Sequence, residues 1–109
     1  MKTYQVFEEE GDLGEYILGL RQTGSHACYL IYGVLKPGEP KRELKPGHGH
    51  EEIVLAVTGD LRCVGAFSGI LKQGQALHLR GEESVFVQNE GIARAVYVVS
   101  GGHSDHGHE

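Results

Sequence analysis

The sequence predicts an all-β domain built from many short antiparallel strands, and three observations favour this fold class. Glycine accounts for 17 of the 109 residues, whereas about 7% is typical of proteins, so the chain turns often. Segments rich in β-branched and aromatic residues lie between these glycines, as expected of strands separated by turns. No segment repeats apolar residues at helical spacing, which leaves a sandwich or barrel as the expected architecture.

The length predicts one domain, because 109 residues are enough for a single hydrophobic core. We expect this domain to span residues 1–100. The formal net charge is −5 and the lysines and arginines are scattered, so nucleic acid is not expected as a partner. The N-terminus lacks the apolar stretch of a signal peptide, and no apolar run reaches the roughly 18 residues of a membrane span. A cytoplasmic protein is therefore expected.

The first third of the chain alternates between short apolar runs and turns. Residues 2–7 alternate weakly and predict an edge strand, and the acidic segment 8–14 predicts a solvated loop. A short apolar run at 16–20 and a turn at 23–26 lead into residues 27–35. That last segment is rich in residues that favour strands, so it is expected to be central in a sheet.

The middle of the chain combines a loop with the longest predicted strand. Residues 36–47 hold all three prolines and predict a long polar loop, which is where functional residues often lie. Residues 48–58 predict one long strand that ends in a tight turn at Gly59. Short strands between glycine turns are expected from there to the final run at 93–99.

Two cysteines, Cys28 and Cys63, each lie inside an apolar strand-like segment. This placement favours buried thiols over a disulfide or a zinc clip.

The strand predicted at 48–58 carries the strongest chemical signal in the sequence. Successive side chains of an extended strand point to opposite faces, so His48, His50 and Glu52 are expected to share one face. Two imidazoles and a carboxylate with open positions are typical of non-haem Fe(II), and they also accept Zn, Ni, Mn or Cu. The pattern predicts a divalent metal site and leaves the identity of the metal open.

The order of these features resembles a small single-domain cupin over residues 27–99. The resemblance rests on a Pro-Gly loop, a His-x-His strand with Glu, a Gly-Asp turn, a Gln-Gly-Gln turn and an Asn-ended strand. It implies a cupin-like double-stranded β-helix of the jelly-roll type, usually dimeric. The first cupin motif places six residues between Glu and Gly, as Glu52 and Gly59 do, but only Glu51 separates His50 from Glu52.

A second register makes His48 the second family histidine and puts Pro46 at the position of the first. In both registers, alternation keeps the two histidines and Glu52 on one face.

The second cupin motif resembles residues 74–89, but this part of the chain departs from the family pattern. In one register the family's histidine position holds Val85, and in the register that uses Gly81 it holds Ser84. Neither register supplies the third histidine of the usual three-His, one-Glu site. His78 is a candidate replacement ligand, although its apolar neighbours favour an outward orientation for it.

Two further features bear on binding. Residues 101–109 hold three of the seven histidines, and we expect them to form a flexible His-rich tail, a composition that signals metal binding. We expect four residues to line a pocket beside the metal: Tyr29, Tyr32, Phe86 and Arg94.

The sequence supports two main hypotheses about function. The first is a metal-dependent enzyme of the oxygenase or isomerase type, acting on a small organic molecule through His48, His50 and Glu52. The second is a non-catalytic module that binds a small ligand or handles metal ions, and the missing third histidine favours it. A structural dimer with a vestigial pocket is a third reading. Strands that are apolar on both faces predict a homodimer in every case.

Overall fold

The computed structural model describes residues 1–104 and consists almost entirely of strands. A 3-10 turn at Gly11–Leu13 precedes the first strand, and a one-turn helix, α1 (Leu20–Thr23), follows it. Nine strands lie in the described part of the chain: β1 Glu15–Leu18, β2 Cys28–Leu35, β3 Arg42–Leu44, β4 His50–Thr58, β5 Leu61–Gly65, β6 Gly69–Leu71, β7 Ala76–Arg80, β8 Val85–Gln88 and β9 Ala95–His103. The predicted all-β class is confirmed.

The strands form two antiparallel sheets that face each other. Sheet A has the order β1-β2-β9-β4-β7, and sheet B has the order β3-β8-β5-β6. Because β9 lies between β2 and β4 and runs antiparallel to both, its C-terminal end meets the beginnings of those two strands. Cys28 pairs with Gly102 on one side of β9, and His50 pairs with His103 on the other.

The main hydrophobic core fills the space between the two sheets. Alternate residues of each strand point into it, as the pleat requires, so Val54 and Ala56 of β4 meet Val85 and Val87 of β8, and all four are fully buried. Burying one such valine stabilises the fold by roughly 1.5–3 kcal/mol. This face of β4 is also the face that carries Glu52.

The outer face of sheet A holds a second, smaller cluster, made of Tyr32, Val34 and Val96. The N-terminal segment covers it, since Val6 packs against the cluster and the ring of Phe7 stacks on Tyr32 with centroids 4.8 Å apart. The segment attaches through these side chains and not through a sheet edge. The edge strand predicted for residues 2–7 is therefore wrong.

Two predicted boundaries in the middle of the chain also change. The strand predicted from residue 48 begins at His50, because Gly47 and Gly49 have φ values of +91° and +79°, which an extended strand does not allow. The loop predicted at 36–47 contains β3, whose three residues pair with β8. Leu44 of β3 is buried in the core, and this contact explains why a polar loop contains a strand.

The last strand continues to His103, three residues beyond the domain boundary predicted at residue 100. The glycines at 101 and 102 pair with β2 and β4 on either side. The rest of the predicted tail, residues 105–109, lies outside the described residues.

Both cysteines are free thiols. Cys63 is buried in the core as predicted, whereas Cys28 is exposed. The prediction for Cys28 is wrong because this residue begins β2 at the end of the barrel, beyond the reach of the core.

Candidate functional site

The open end of the barrel, at the beginning of β4, carries a buried carboxylate. Glu52 points inward from β4 and is only 5% exposed. The hydroxyl of Tyr29, from β2, donates a hydrogen bond of 2.6 Å to its Oε2 atom. Tyr29 crosses the intervening strand over Gly101, where a Cβ atom would lie only 2.3 Å from the tyrosine ring. The glycine is thus required for this contact.

The environment of Tyr29 favours the protonated phenol. Burial, followed by the hydrogen bond to Glu52 and the charge of that carboxylate, raises the pKa of Tyr29 above its usual value. One carboxylate oxygen of Glu52 is thereby engaged with a neutral donor inside the barrel.

Three imidazoles surround the entrance above Tyr29 and Glu52. The ring centroid of His50 lies 5.1 Å from that of His103, which lies 5.2 Å from that of His26. The Nδ1 atom of His26 and the Nε2 atom of His103 are 3.1 Å apart. We call this group of five side chains the histidine end: His26, Tyr29, His50, Glu52 and His103.

The structure places the four predicted metal ligands in three different settings. His50 and Glu52 lie on the inner side of β4, as predicted. His48 is exposed in the turn that precedes the strand, and its carbonyl oxygen lies 3.1 Å from Nδ1 of His50. Alternation along a strand does not apply to His48, because the turn at Gly49 interrupts the extended backbone.

His78 lies on the outer face of sheet A. Its neighbours Leu77 and Leu79 contribute to the core, so strand alternation turns the imidazole outward. Its Nε2 atom lies 2.8 Å from Oε1 of Glu51, which is also on the outer face. The sheet itself separates His78 from the carboxylate of Glu52.

The second-motif positions do not complete an interior metal site. Val85, at the family's histidine position in one register, is fully buried in the core, and the other register places Ser84 there. Asn89, at the motif's asparagine position, donates to the carbonyl oxygens of Leu35 and Ala93 at 2.9 and 2.8 Å, so it stabilises the loop after β8. Within residues 1–104, no three His, Cys, Asp or Glu side chains are arranged to hold a metal ion.

The donor set therefore does not fit the three-His, one-Glu centre that the cupin resemblance implies. The third histidine position holds a valine or, in the other register, a serine, and the hydroxyl of Tyr29 donates a hydrogen bond to Glu52.

Of the four predicted pocket walls, only Tyr29 lies at the histidine end. Tyr32 packs under Phe7 on the outer face of sheet A. Phe86 alternates with the inward valines of β8 and lies beneath Nζ of Lys41. The fourth residue, Arg94, forms an ion pair with Glu8.

Sequence reasoning missed two of the histidines at this end of the barrel. The sequence predicts a turn at His26 and places His103 in the His-rich tail. A signal for His103 was present, since it continues the alternation of Tyr97, Val99 and Gly101 toward the barrel interior. The proximity of His26 depends on the pairing of β2 with β9, which no local pattern indicates.

One cavity of the barrel lies away from this site. A groove of about 550 Å³ is found where β4 ends, with Gly59, Arg62, Asn89 and Arg94 among its lining residues. Its arginines are paired with Glu90 and Glu8.

Comparison with known proteins gives the same fold. The chain is similar to a predicted oxalate decarboxylase from Thermotoga maritima, with 17% identity, a TM-score of 0.67, and coverage of 83% of this chain and 81% of that one. It is similar to the cupin domain of a Schizosaccharomyces pombe protein, with 10% identity, a TM-score of 0.63, and coverage of 72% and 54%. An oxalate oxidase in complex with the substrate analogue glycolate matches at 17% identity and a TM-score of 0.67, over 91% of this chain and 56% of that one.

These similarities establish a cupin fold, the double-stranded β-helix that the sequence motifs predicted. No family model matches the chain, and no curated protein sequence matches it. Among residues 1–104, no helix is long and apolar enough to cross a membrane. The cytoplasmic location stays a prediction.

Proposed function

We propose that this cupin domain is a binding module that holds its ligand at the histidine end without chemical turnover. The observation that carries the proposal is the hydrogen bond from Tyr29 to the buried carboxylate of Glu52. A cupin centre of the three-His, one-Glu type needs this carboxylate as a ligand. Here its Oε2 atom instead accepts a hydrogen bond from Tyr29 of β2, which lies on the far side of β9 in sheet A.

The rest of the barrel interior supports the same conclusion. The family's third histidine position holds Val85 or Ser84, depending on the register of the motif. Val85 packs in the core, and neither residue supplies an imidazole to accompany Glu52. The polar groups that face solvent are the imidazoles of His26, His50 and His103. Ligand capture at the entrance is thus the role that these residues suit.

The test compares binding with turnover on the untagged full-length protein. Amide NMR spectra are recorded during additions of zinc chloride, oxalate and glycolate, the organic probes being those named for the similar structures. At least one probe is expected to shift the signals of His50 and His103 while oxalate and glycolate persist at the rate of a protein-free control. Consumption of either organic probe, or the absence of any shift at the histidine end, would refute the proposal.

The second candidate function is a metal-dependent enzyme of the oxygenase or isomerase type that uses iron, manganese, zinc or nickel. The observation in its favour is the similarity of the fold to the oxalate enzymes named above. His50 and Glu52 would be its ligands on the inner face of β4. The variant Glu52→Gln separates the two candidates. If the protein is a metal-dependent enzyme, elemental analysis should show that this variant has lost its metal. If it is a binding module, the NMR titration should show an unchanged ligand affinity.

We also propose that a second copy of the chain covers the part of the outer face of sheet A that β4 and β7 form, beside the cluster that the N-terminal segment covers. Ile53 and Leu55 of β4 are 51% and 38% exposed there, and groups of both charge signs, Glu51 and Arg80, lie beside them. A two-fold contact brings a patch against its own copy, so a patch bordered by both signs is complementary to itself.

A further inference from the structure

We propose that the N-terminal segment, residues 1–10, is a strap that controls self-association through the outer face of sheet A. The closed strap covers one end of an apolar stripe on this face. When the strap opens, a second copy of the chain binds the whole stripe. The inference rests on the outer-face dimer proposed above and names the segment that regulates it.

The apolar stripe runs from the strap to the exposed patch on β4. Its covered end is the small cluster on β2 and β9 that contains Tyr32 and Val96. Val57 of β4 packs against this cluster, and alternation along the same strand places Leu55 and Ile53 on the same face. The covered and the exposed ends of the stripe are therefore continuous.

The size of the exposed patch indicates that a stable dimer needs more of this stripe. Ile53 and Leu55 are only two partly exposed side chains, whereas a stable interface buries about 800 Å² on each partner, from roughly 20–30 residues. The side chains beneath the strap are apolar and at most 6% exposed: Tyr32, Val34 and Val96. Opening the strap adds them to the contact surface, so an open strap is expected to favour the dimer.

Side chains alone hold the strap on the sheet. Within the described part of the chain, no backbone hydrogen bond joins the strap to another segment. Val6 packs on the covered cluster, and the ring of Phe7 stacks on Tyr32. The hydroxyl of Tyr4 donates a hydrogen bond of 3.3 Å to the carbonyl oxygen of Gln22. A segment with so few attachments can open locally while the barrel stays folded.

The closed strap also carries two unfavourable features. Glu8 has a φ of +68°, a left-handed backbone conformation that a residue with a side chain rarely adopts. The buried Oη atom of Tyr32 and the buried Oε1 atom of Glu10 have no hydrogen-bond partner among residues 1–104, although a buried polar atom needs one to offset its lost hydration. Opening relaxes the backbone and lets water reach these atoms. Both features narrow the free-energy difference between the closed and the open strap.

One ion pair serves as the latch of the strap. The guanidinium of Arg94, in the loop before β9, holds the carboxylate of Glu8 through two nitrogens. Its Nη1 atom donates to Oε2 at 3.2 Å, and its Nη2 atom donates to Oε1. This bidentate geometry fixes the position of the carboxylate, but an exposed pair stabilises a fold only weakly. Because the strap has few other attachments, a weak latch is enough to set the fraction of open strap.

The experiment compares Arg94→Gln with Arg62→Gln in the untagged full-length protein. Arg62 is the matched control, because it also forms an exposed ion pair, at 3.2 Å from Glu90, and its loss changes the net charge equally. Chymotrypsin cleavage after Tyr4 and Phe7, followed by mass spectrometry, measures strap opening. Sedimentation equilibrium measures the dissociation constant of the dimer. Neither variant alters the strap, so the cleavage sites are the same in all three proteins.

Arg94→Gln is expected to speed cleavage in the strap about twofold to fivefold, on the scale of an exposed ion pair. Cleavage that is slow relative to reclosing follows the open fraction. A dimer that needs two open copies tightens with the square of that fraction, so the dissociation constant should fall by the square of the measured cleavage ratio. Arg62→Gln should change neither quantity. Glu8→Gln breaks the same pair from the strap and should tighten the dimer equally.

Four results would overturn the inference. Unchanged cleavage in Arg94→Gln shows that this ion pair is not the latch. Faster cleavage with an unchanged or weaker dimer shows that the strap does not control association, and the outer-face dimer then stands. If the natural protein and Arg94→Gln are both monomeric at every concentration, the dimer proposal fails together with its control by the strap. Finally, Ile53→Glu should abolish the tightened dimer of Arg94→Gln, and a dimer that persists uses another surface.

Discussion

Replacing Tyr29 with phenylalanine tests whether the hydrogen bond to Glu52 holds the interior of the barrel together. The substitution keeps the ring over Gly101 and removes only the hydroxyl that donates to Oε2. Glu52 is 5% exposed, so water does not replace the lost donor easily. A hydrogen bond to a charged group contributes about 1.5–3 kcal/mol, and an unpaired buried acceptor carries its full desolvation cost.

The expected loss for Tyr29→Phe is therefore about 1.5–3 kcal/mol in the free energy of unfolding. Urea unfolding at neutral pH, followed by circular dichroism, measures it. Tyr16→Phe is the matched control, because the hydroxyl of Tyr16 has no hydrogen-bond partner in the described part of the chain. In the double variant Tyr29→Phe with Glu52→Leu, both polar partners are gone, and much of the lost stability should return. A Tyr29→Phe protein as stable as the control would refute the assigned role of this bond.

Three other predictions concern the buried tyrosines, Gly101 and the outer face of sheet A. Burial, and then their carboxylate partners, raise the pKa values of Tyr29 and Tyr97. The stability that these two protonated phenols contribute is therefore complete below about pH 10 and is lost as the pH rises above it. Urea unfolding between pH 9 and 11 should show this decline in the free energy of unfolding, and Tyr29→Phe should make it shallower. Gly101→Ala should destabilise the domain by about 1–3 kcal/mol in the same assay, because its methyl group meets the Tyr29 ring, and an unchanged midpoint would contradict that geometry. Ile53→Glu should convert a dimer into a monomer, as measured by light scattering. Ile17→Glu, at another exposed isoleucine, is the control and should leave the dimer intact. Equal masses for both variants would argue against the outer-face contact.

The cupin fold was predictable because its signals are local. Turn glycines and the strands between them follow from backbone sterics and side-chain shape, and the six-residue spacing from Glu52 to Gly59 reflects a strand that ends in a turn. The inward orientation of His50 and Glu52 was also predictable, since both lie inside β4, where alternation holds. His48 lies two residues before this strand, and a glycine with left-handed backbone geometry ends the alternation there.

The composition of the site was less predictable, because it depends on which strands become neighbours. The bond between Tyr29 and Glu52 joins residues 23 positions apart, and the contact between His26 and His103 joins residues 77 positions apart. Neither pair shares a local pattern. The outward position of His78 could be inferred from its leucine neighbours, but its partner Glu51 follows only from the register of β4 with β7.

The sequence by itself determined the all-β class, the cupin pattern and the inward-facing pair His50 and Glu52, because strand period and turn chemistry act over a few residues. Only the tertiary structure decided what surrounds that pair. The placement of β9 between β2 and β4 brings Tyr29 onto the carboxylate and collects His26 and His103 at the rim. Backbone pairing between distant segments sets these contacts, and the free energy that selects the pairing comes from the whole buried core.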